Sequence, residues 1–168
     1  MSKNAPKTLD NDLLKKVFVH NLNRIYFGKC YLDKHLGHLK GLASFTALQQ
    51  AIQEFWDDIK KQIERMNKVY TLINEIPSDK NCNPIKSIVK DEFCLDEEQT
   101  IPVLLDMDIM LYLQLLEHIN ITSCHMLIMV AQQLNYTEAQ QLLTECKDES
   151  IDNDELFTLI SKEYIIAD

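Results

Sequence analysis

Seven residues have the types and spacing to do chemistry together: Lys29, Asp58, Gln62, Glu117, Asn120, Ser150 and Asp154. Lys29, Gln62, Asn120 and Ser150 each interrupt an apolar stripe where a helix would otherwise present a hydrophobic side chain. Asp58 precedes Gln62 by four residues, Glu117 precedes Asn120 by three, and Asp154 follows Ser150 by four, so each pair shares a helix face. Carboxylates, amides and a hydroxyl gathered around an amine make a polar network, and the lysine decides its chemistry. At neutral pH the lysine nitrogen carries a proton and a positive charge, so it is a poor metal ligand and takes the place of a cation instead. Buried, it requires a carboxylate from among Asp58, Glu117 and Asp154, because an unpaired ammonium in a core is expensive. The competing reading leaves Lys29 at the edge of its stripe with its ammonium in solvent.

Four long segments free of helix breakers must position these groups. Pro6, Pro77, Pro84 and Pro102 punctuate the chain. The spacing predicts helices from about Asp10 to Leu39, from about Thr46 to Ile76, from Pro102 to about Leu134 and from Thr137 towards Tyr164. The first stripe, for example, reads Leu14, Phe18, Leu22, Ile25, Lys29, Leu32, Leu36, Leu39. No segment alternates with period two for long, so the chain is all-α, and four amphipathic helices of similar length imply a four-helix bundle. The connection between the second and third helices carries Ile85, Ile88, Val89 and Phe93 at helical spacing, which predicts a short helix over the core. So long a connection suits a crossover along the bundle, the ferritin-like topology, with an up-down-up-down bundle as the competing arrangement. Residues 1–9 read as a flexible N-terminal tail and 10–168 as one helical domain.

Composition excludes several function classes. With 46% hydrophobic and 26% charged residues, a chain of 168 residues can bury a core. The net charge of −9 disfavours nucleic acid or an anionic membrane as partner. The longest apolar run, Met126 to Ala131, is too short to span a membrane, and the polar start of the chain has no secretory signal. A cytoplasmic location is the expectation. Gly28, Gly37 and Gly41 are the only glycines, which leaves no phosphate loop or dinucleotide fingerprint. Cys30, Cys82, Cys94, Cys124 and Cys146 are odd in number and lack C-x-x-C spacing, so they read as reduced thiols.

The remaining constellations carry less. His35 and His38 stand three residues apart, but two ligands without a third make a weak metal site. His118 neighbours Glu117 and reads as a surface flank of the layer, with His125 two turns further on. Trp56 reads as a core or dimer contact. Met107, Met110, Met126 and Met129 read as core filling, and the acidic stretch from Asp91 to Glu98 as a solvated connector. No serine or cysteine has the context of an activated nucleophile.

The chain resembles the YciF-like family of bacterial ferritin-like stress proteins, a domain of unknown function. Arg24-Ile-Tyr-Phe-Gly28-Lys-Cys-Tyr-Leu32 is similar to that family's D-x-Y-x-A-E-x-x-L, and Asp57-Asp-Ile-Lys-Lys-Gln-Ile-Glu-Arg65 to its E-E-T-x-x-H/Q-x-x-R. The connection from Asn81 to Val89 resembles C-x-A-M-x-G-L-I, Leu116-Glu-His-Ile-Asn-Ile121 resembles V-E-H-Y-E-I, and Leu142 through Leu156 resembles L-L-x(5)-E-E-x(3)-D-x-L. Read through the resemblance, the family's helix-one glutamate falls on Lys29, its helix-two glutamate on Asp58 and its histidine or glutamine on Gln62. Glu117 is kept while the next glutamate becomes Asn120; Glu149 is kept, its neighbour becomes Ser150, and Asp154 is kept. The resemblance therefore implies a ferritin-like bundle that has lost its di-metal site, is not an enzyme and needs no cofactor. It also implies a homodimer with a structural or stress-related role through an unknown protein partner. The alternative is a single iron or manganese ion held by Asp58, Glu117, Glu149 and Asp154, with His118 nearby, supporting redox chemistry or iron handling. A third reading places an apolar ligand inside the bundle.

Overall fold

Asp10 opens the first helix as its N-cap, its carboxylate accepting the Leu13 N–H at 2.7 Å. The elements are α1 (Asn11–Asp33), α2 (Leu36–Leu42), α3 (Thr46–Ile73), α4 (Pro84–Lys90), one 3-10 turn (Glu92–Cys94), α5 (Pro102–Gln133) and α6 (Thr137–Ile166). The structure is a computed structural model that describes residues 10–80, 82–96 and 98–166. The tail expected at residues 1–9 lies outside the described residues. Every regular element among the described residues is helical, as the period of the stripes predicts.

Local chemistry sets most boundaries. Pro84 and Pro102 sit in the first turns of α4 and α5, where a missing N–H costs nothing. Asn83 caps α4 by accepting the Lys86 N–H at 3.1 Å. The second long helix ends at Ile73, short of the expected Ile76, because Asn74 turns left-handed (φ 53°) and Glu75 N–H donates back to the Tyr70 carbonyl at 3.0 Å. Asn135 (φ 58°) ends α5 in the same way, with Tyr136 N–H on the Ala131 carbonyl at 2.9 Å.

The first helix departs further from expectation. It stops at Asp33, and a separate α2 carries Leu36 and Leu39, both buried. The apolar stripe continues across the break, so its period does not reveal it. Local and tertiary contacts both hold the break. The His35 N–H turns to the Leu32 carbonyl at 2.9 Å while its ring Nδ1 donates to the Tyr31 carbonyl at 2.8 Å, and α3 adds a side chain. The Trp56 indole N–H of α3 donates to Asp33 at 2.7 Å, and its ring lies where a Cβ on Gly37 would come within 3.0 Å. Trp56 thus works at the joint between α1 and α2.

The long helices close a ring: α5 packs on α6, α6 on α3, and α1 on both α3 and α5. The consecutive helices α3 and α5 stand diagonally opposite, so the connection between them crosses the ring, and α4 within it lies on α1. Gly28 permits that contact, since a Cβ there would meet Asn83 Oδ1 at 2.8 Å and Ile85 at 2.9 Å. The connection is less solvated than its acidity suggests: Ile85, Val89 and Phe93 are all buried. Phe18, Leu22, Phe55, Ile59, Leu113, Leu116 and Phe157 fill the space between the helices with no exposure. Each such side chain contributes roughly 1.5–3 kcal/mol of hydrophobic burial. Among the described residues, no helix is long and apolar enough to cross a membrane.

Candidate functional site

The four interruptions of the stripes meet between the helices. Lys29 on α1 is fully buried and donates from Nζ to Gln62 Oε1 on α3 at 2.6 Å. Glu117 and Asn120 on α5 and Ser150 on α6 are fully buried beside them. Lys29 does not snorkel, and its direct partner is an amide oxygen, not one of the expected carboxylates. One N–H of the ammonium is used in that bond. Glu117 acts on Lys29 through its charge. Burial pushes the Glu117 carboxyl from its ordinary 4.5 up to about 7, Lys29 is the strongest influence holding it down, and Asp154 pushes it further up.

Hydrogen bonding in this layer is sparse. The Asn120 amide donates to Glu117 Oε1 at 3.2 Å. Gln62 Nε2, Glu117 Oε2, Asn120 Oδ1 and Ser150 Oγ are buried without a partner among the described residues, each at a cost of about 1–3 kcal/mol. The Ser150 hydroxyl lies near enough to favour the charged form of Glu117 but completes no bond to it. Burial pushes the adjoining thiols of Cys124 and Cys146 up to about 11 and about 12. Both stay protonated and inert as ligands or nucleophiles.

The other expected members stand at the rim. Asp58 is partly exposed, held by Lys61 at 2.8 Å and Asn153 at 3.3 Å. Asp154 is partly exposed, facing His118 Nε2 at 3.5 Å and the Gln114 amide at 3.4 Å. Glu149 pairs with Arg65 at 2.8 Å, and Arg65 also holds Glu145 at 3.0 Å. His118 is exposed, as its flanking position predicts. Asp58 and Asp154 therefore leave the layer expected from sequence. A step of four residues rotates a side chain about 40° around its helix, enough to carry it from the centre to the edge.

The donor set does not suit a di-metal centre. Such a site gathers about six carboxylate and imidazole ligands, whereas the buried layer here offers one carboxylate, two amides and a hydroxyl around a fixed ammonium. Of the four carboxylates considered for a single ion, only Glu117 is buried; the rest answer other partners. Among the described residues no three His, Cys, Asp or Glu side chains stand close enough to share a metal ion.

A second buried acid escaped the sequence reading. Asp106, near the start of α5, accepts Ser44 N–H at 2.8 Å, Ser44 Oγ at 2.5 Å and the Tyr164 hydroxyl at 2.9 Å. Its partners lie 62 and 58 residues away in the chain, so no local pattern announces them.

Known proteins share this architecture. Residues 13–167 match the family described as Domain of unknown function (DUF892). Protein YciF of Escherichia coli K12 is 26% identical over 137 residues, covering 81% of this chain and 82% of the relative. The crystal structure of the E. coli stress protein YciF superposes with a TM-score of 0.85 at 25% identity, covering 90% of this chain and 96% of that one. YcfI of Rhodopseudomonas palustris shares the fold, with a TM-score of 0.81 at 23% identity over 94% of this chain and 98% of that one.

Proposed function

From the premise that the chain belongs to the DUF892 family, a domain of unknown function, we propose that it is a non-catalytic, ferritin-like four-helix bundle in which Lys29 replaces the di-metal centre. It serves a structural or stress-related role as a homodimer that binds a protein partner. The ferritin-like reading draws support from the diagonal placement of α3 and α5, which the crossover topology requires and an up-down-up-down bundle does not. The stress-related reading draws support from the resemblance to YciF, described as a stress protein.

One observation carries the loss of metal: a fully buried ammonium bonded to Gln62 at 2.6 Å in the middle of the helices. A cation brought into that space would meet a positive charge already present, with Glu117 as the single carboxylate buried there to answer both. Repulsion between two such charges in a low-dielectric interior outweighs the gain from one ligand.

The test is metal analysis of protein purified from cells supplied with iron and manganese, followed by anaerobic addition of Fe(II) and exposure to oxygen. No stoichiometric metal and no oxo-bridged absorption band are expected. Stoichiometric iron or manganese that disappears in Glu117→Gln would overturn the reading. Sedimentation of the purified protein checks the homodimer, and a monomer at all concentrations would remove that part of it.

A further inference from the structure

Apart from the central layer and sharing no residue with it, α2, α4, the 3-10 turn and the start of α5 enclose a cavity of about 310 Å³, at the lower end of the sizes that hold small molecules. Leu39, Val89 and Phe93 form an apolar wall and are almost fully buried. Glu92, Asp96, His35 and His38 supply its polar edge, and among the described residues no lysine or arginine lines it.

That charge pattern selects the ligand. An anion would meet two carboxylates and no compensating cation, whereas an ammonium would find both. His35 favours the same sign. Its Nδ1 stands 2.8 Å from the Tyr31 carbonyl oxygen, and a carbonyl only accepts, so in the neutral ring Nδ1 carries the proton and Nε2 remains an acceptor. The imidazole is held in that orientation by stacking on Tyr31, with ring centroids 4.5 Å apart and 27° between planes.

The backbone on one side of the cavity is strained. Glu92, Phe93 and Cys94 follow one another at φ 51°, 58° and 54°, a left-handed run that side chains with a Cβ avoid. The buried Phe93 ring anchors the turn and leaves Glu92 at the rim of the cavity. Strain of this kind persists where the surroundings enforce it, and it gathers at ligand sites.

We propose that this cavity binds a small organic cation, an amine carried on an apolar body of about one aromatic ring. Glu92 and Asp96 receive the ammonium, His35 Nε2 accepts one of its hydrogens, and Leu39, Val89 and Phe93 take the ring. The site shares no residue with the layer around Lys29 and stands or falls separately from it.

The experiment titrates the full chain with 2-phenylethylamine and with phenylacetate, which share a ring but carry opposite charge, using calorimetry and ligand-observed NMR. Two variants accompany it. E92Q/D96N removes the negative charges, while the amide oxygen introduced by D96N keeps an acceptor for the Glu98 N–H, which Asp96 Oδ1 takes at 3.0 Å. L42W places a large ring in the mouth of the cavity from a side chain 37% exposed, outside the core. The amine should bind saturably, phenylacetate and the E92Q/D96N variant should each weaken binding by about tenfold or more, and L42W should abolish it. No saturable amine binding, equal binding of the two ligands to the native chain, or undiminished amine binding by a variant that melts like the native chain would each overturn the proposal. If the variants fail to fold, the comparison of the two ligands on the native chain decides alone.

Discussion

Glu117 and Asp106 lie on the same helix and both are fully buried, yet they are held by different means. Asp106 has donors: two from Ser44 and one from Tyr164, at 2.5–2.9 Å. Glu117 has a cation in Lys29, but only the Asn120 amide reaches it, at 3.2 Å, and Oε2 has no partner among the described residues. Hydrogen bonds are directional, so three of them from two other segments fix the register of the loop before α3 and of the end of α6 against α5. Charge attraction between Lys29 and Glu117 is weakly directional, so it neutralises the centre without locking its geometry. The first arrangement fastens; the second balances charge. A metal centre would have required both at one place, and here they are found apart.

The largest effect should come from breaking the balance at the centre. Lys29→Met removes the charge that most opposes the rise of Glu117. At pH well above 7 it strands a buried carboxylate, at a cost of about 3–5 kcal/mol that shrinks as Glu117 takes up a proton at lower pH. In Lys29→Met/Glu117→Gln the stranded charge is gone, and the double variant should recover about 1–3 kcal/mol relative to the sum of the single effects. Urea unfolding of all four proteins measures this. Strictly additive effects would mean that Lys29 and Glu117 are not partners and that the two acids differ less than their surroundings imply.

The second effect is a dependence on pH. The carboxyl of Glu117 sits at about 7 in the folded chain against 4.5 ordinarily, so the folded state binds this proton more tightly than the unfolded state. The resulting stabilisation is fully present below 4.5, is lost as pH rises from there to about 7, and changes no further above that. It amounts to about 3 kcal/mol at about 1.4 kcal/mol per pH unit. Glu117→Gln lacks it, so the native chain should lose about 3 kcal/mol relative to that variant between about pH 4.5 and about pH 7.5. A constant difference across this window would show that Glu117 is not raised.

These two predictions concern residues that sequence alone located, and the reason is geometric. A helical stripe fixes which face a residue takes, so Lys29, Gln62, Asn120 and Ser150 had to meet once their helices packed together. What the period cannot supply is how wide a face the neighbouring helices cover, or contact between remote segments. Asp58 and Asp154, one turn from the breaks, drift to the rim and find Lys61 and His118 there. The stop after Asp33 has neither glycine nor proline at it; His35 on the Tyr31 carbonyl and Trp56, 23 residues away, on Asp33 hold it. Glu92, Phe93 and Cys94 turn left-handed with no glycine among them. Asp106 follows Pro102 and reads as an ordinary acid in an early helical turn; only folding brings Ser44 and Tyr164 to it.

A third prediction addresses the fastened acid. Asp106→Ala removes the acceptor for three donors at once and should cost about 2–3 kcal/mol, with Asp106→Asn costing less because one acceptor oxygen remains. The loop at Ser44 should become a site of protease cleavage in the alanine variant, since its N–H and hydroxyl bonds both end on Asp106. Lys29→Met should leave that loop resistant under conditions where the chain stays folded. Cleavage at Ser44 in both variants would indicate that the two regions are one cooperative network.

The smallest effects give the sharpest form of the contrast, because they compare one hydroxyl in each region. Tyr164 donates to Asp106 Oδ2 at 2.9 Å, so Tyr164→Phe loses a formed bond and should cost about 1 kcal/mol. Ser150 is fully buried and its Oγ has no partner among the described residues. In Ser150→Ala the cost of an unbonded hydroxyl, about 1–3 kcal/mol, is relieved and only partly offset by the small cavity the oxygen leaves, so stability should stay level with the native chain or rise. Calorimetric melts of the two variants side by side measure the difference. If Ser150→Ala costs as much as Tyr164→Phe, its hydroxyl is bonded to Glu117 after all. The centre would then be held by direction as well as by charge.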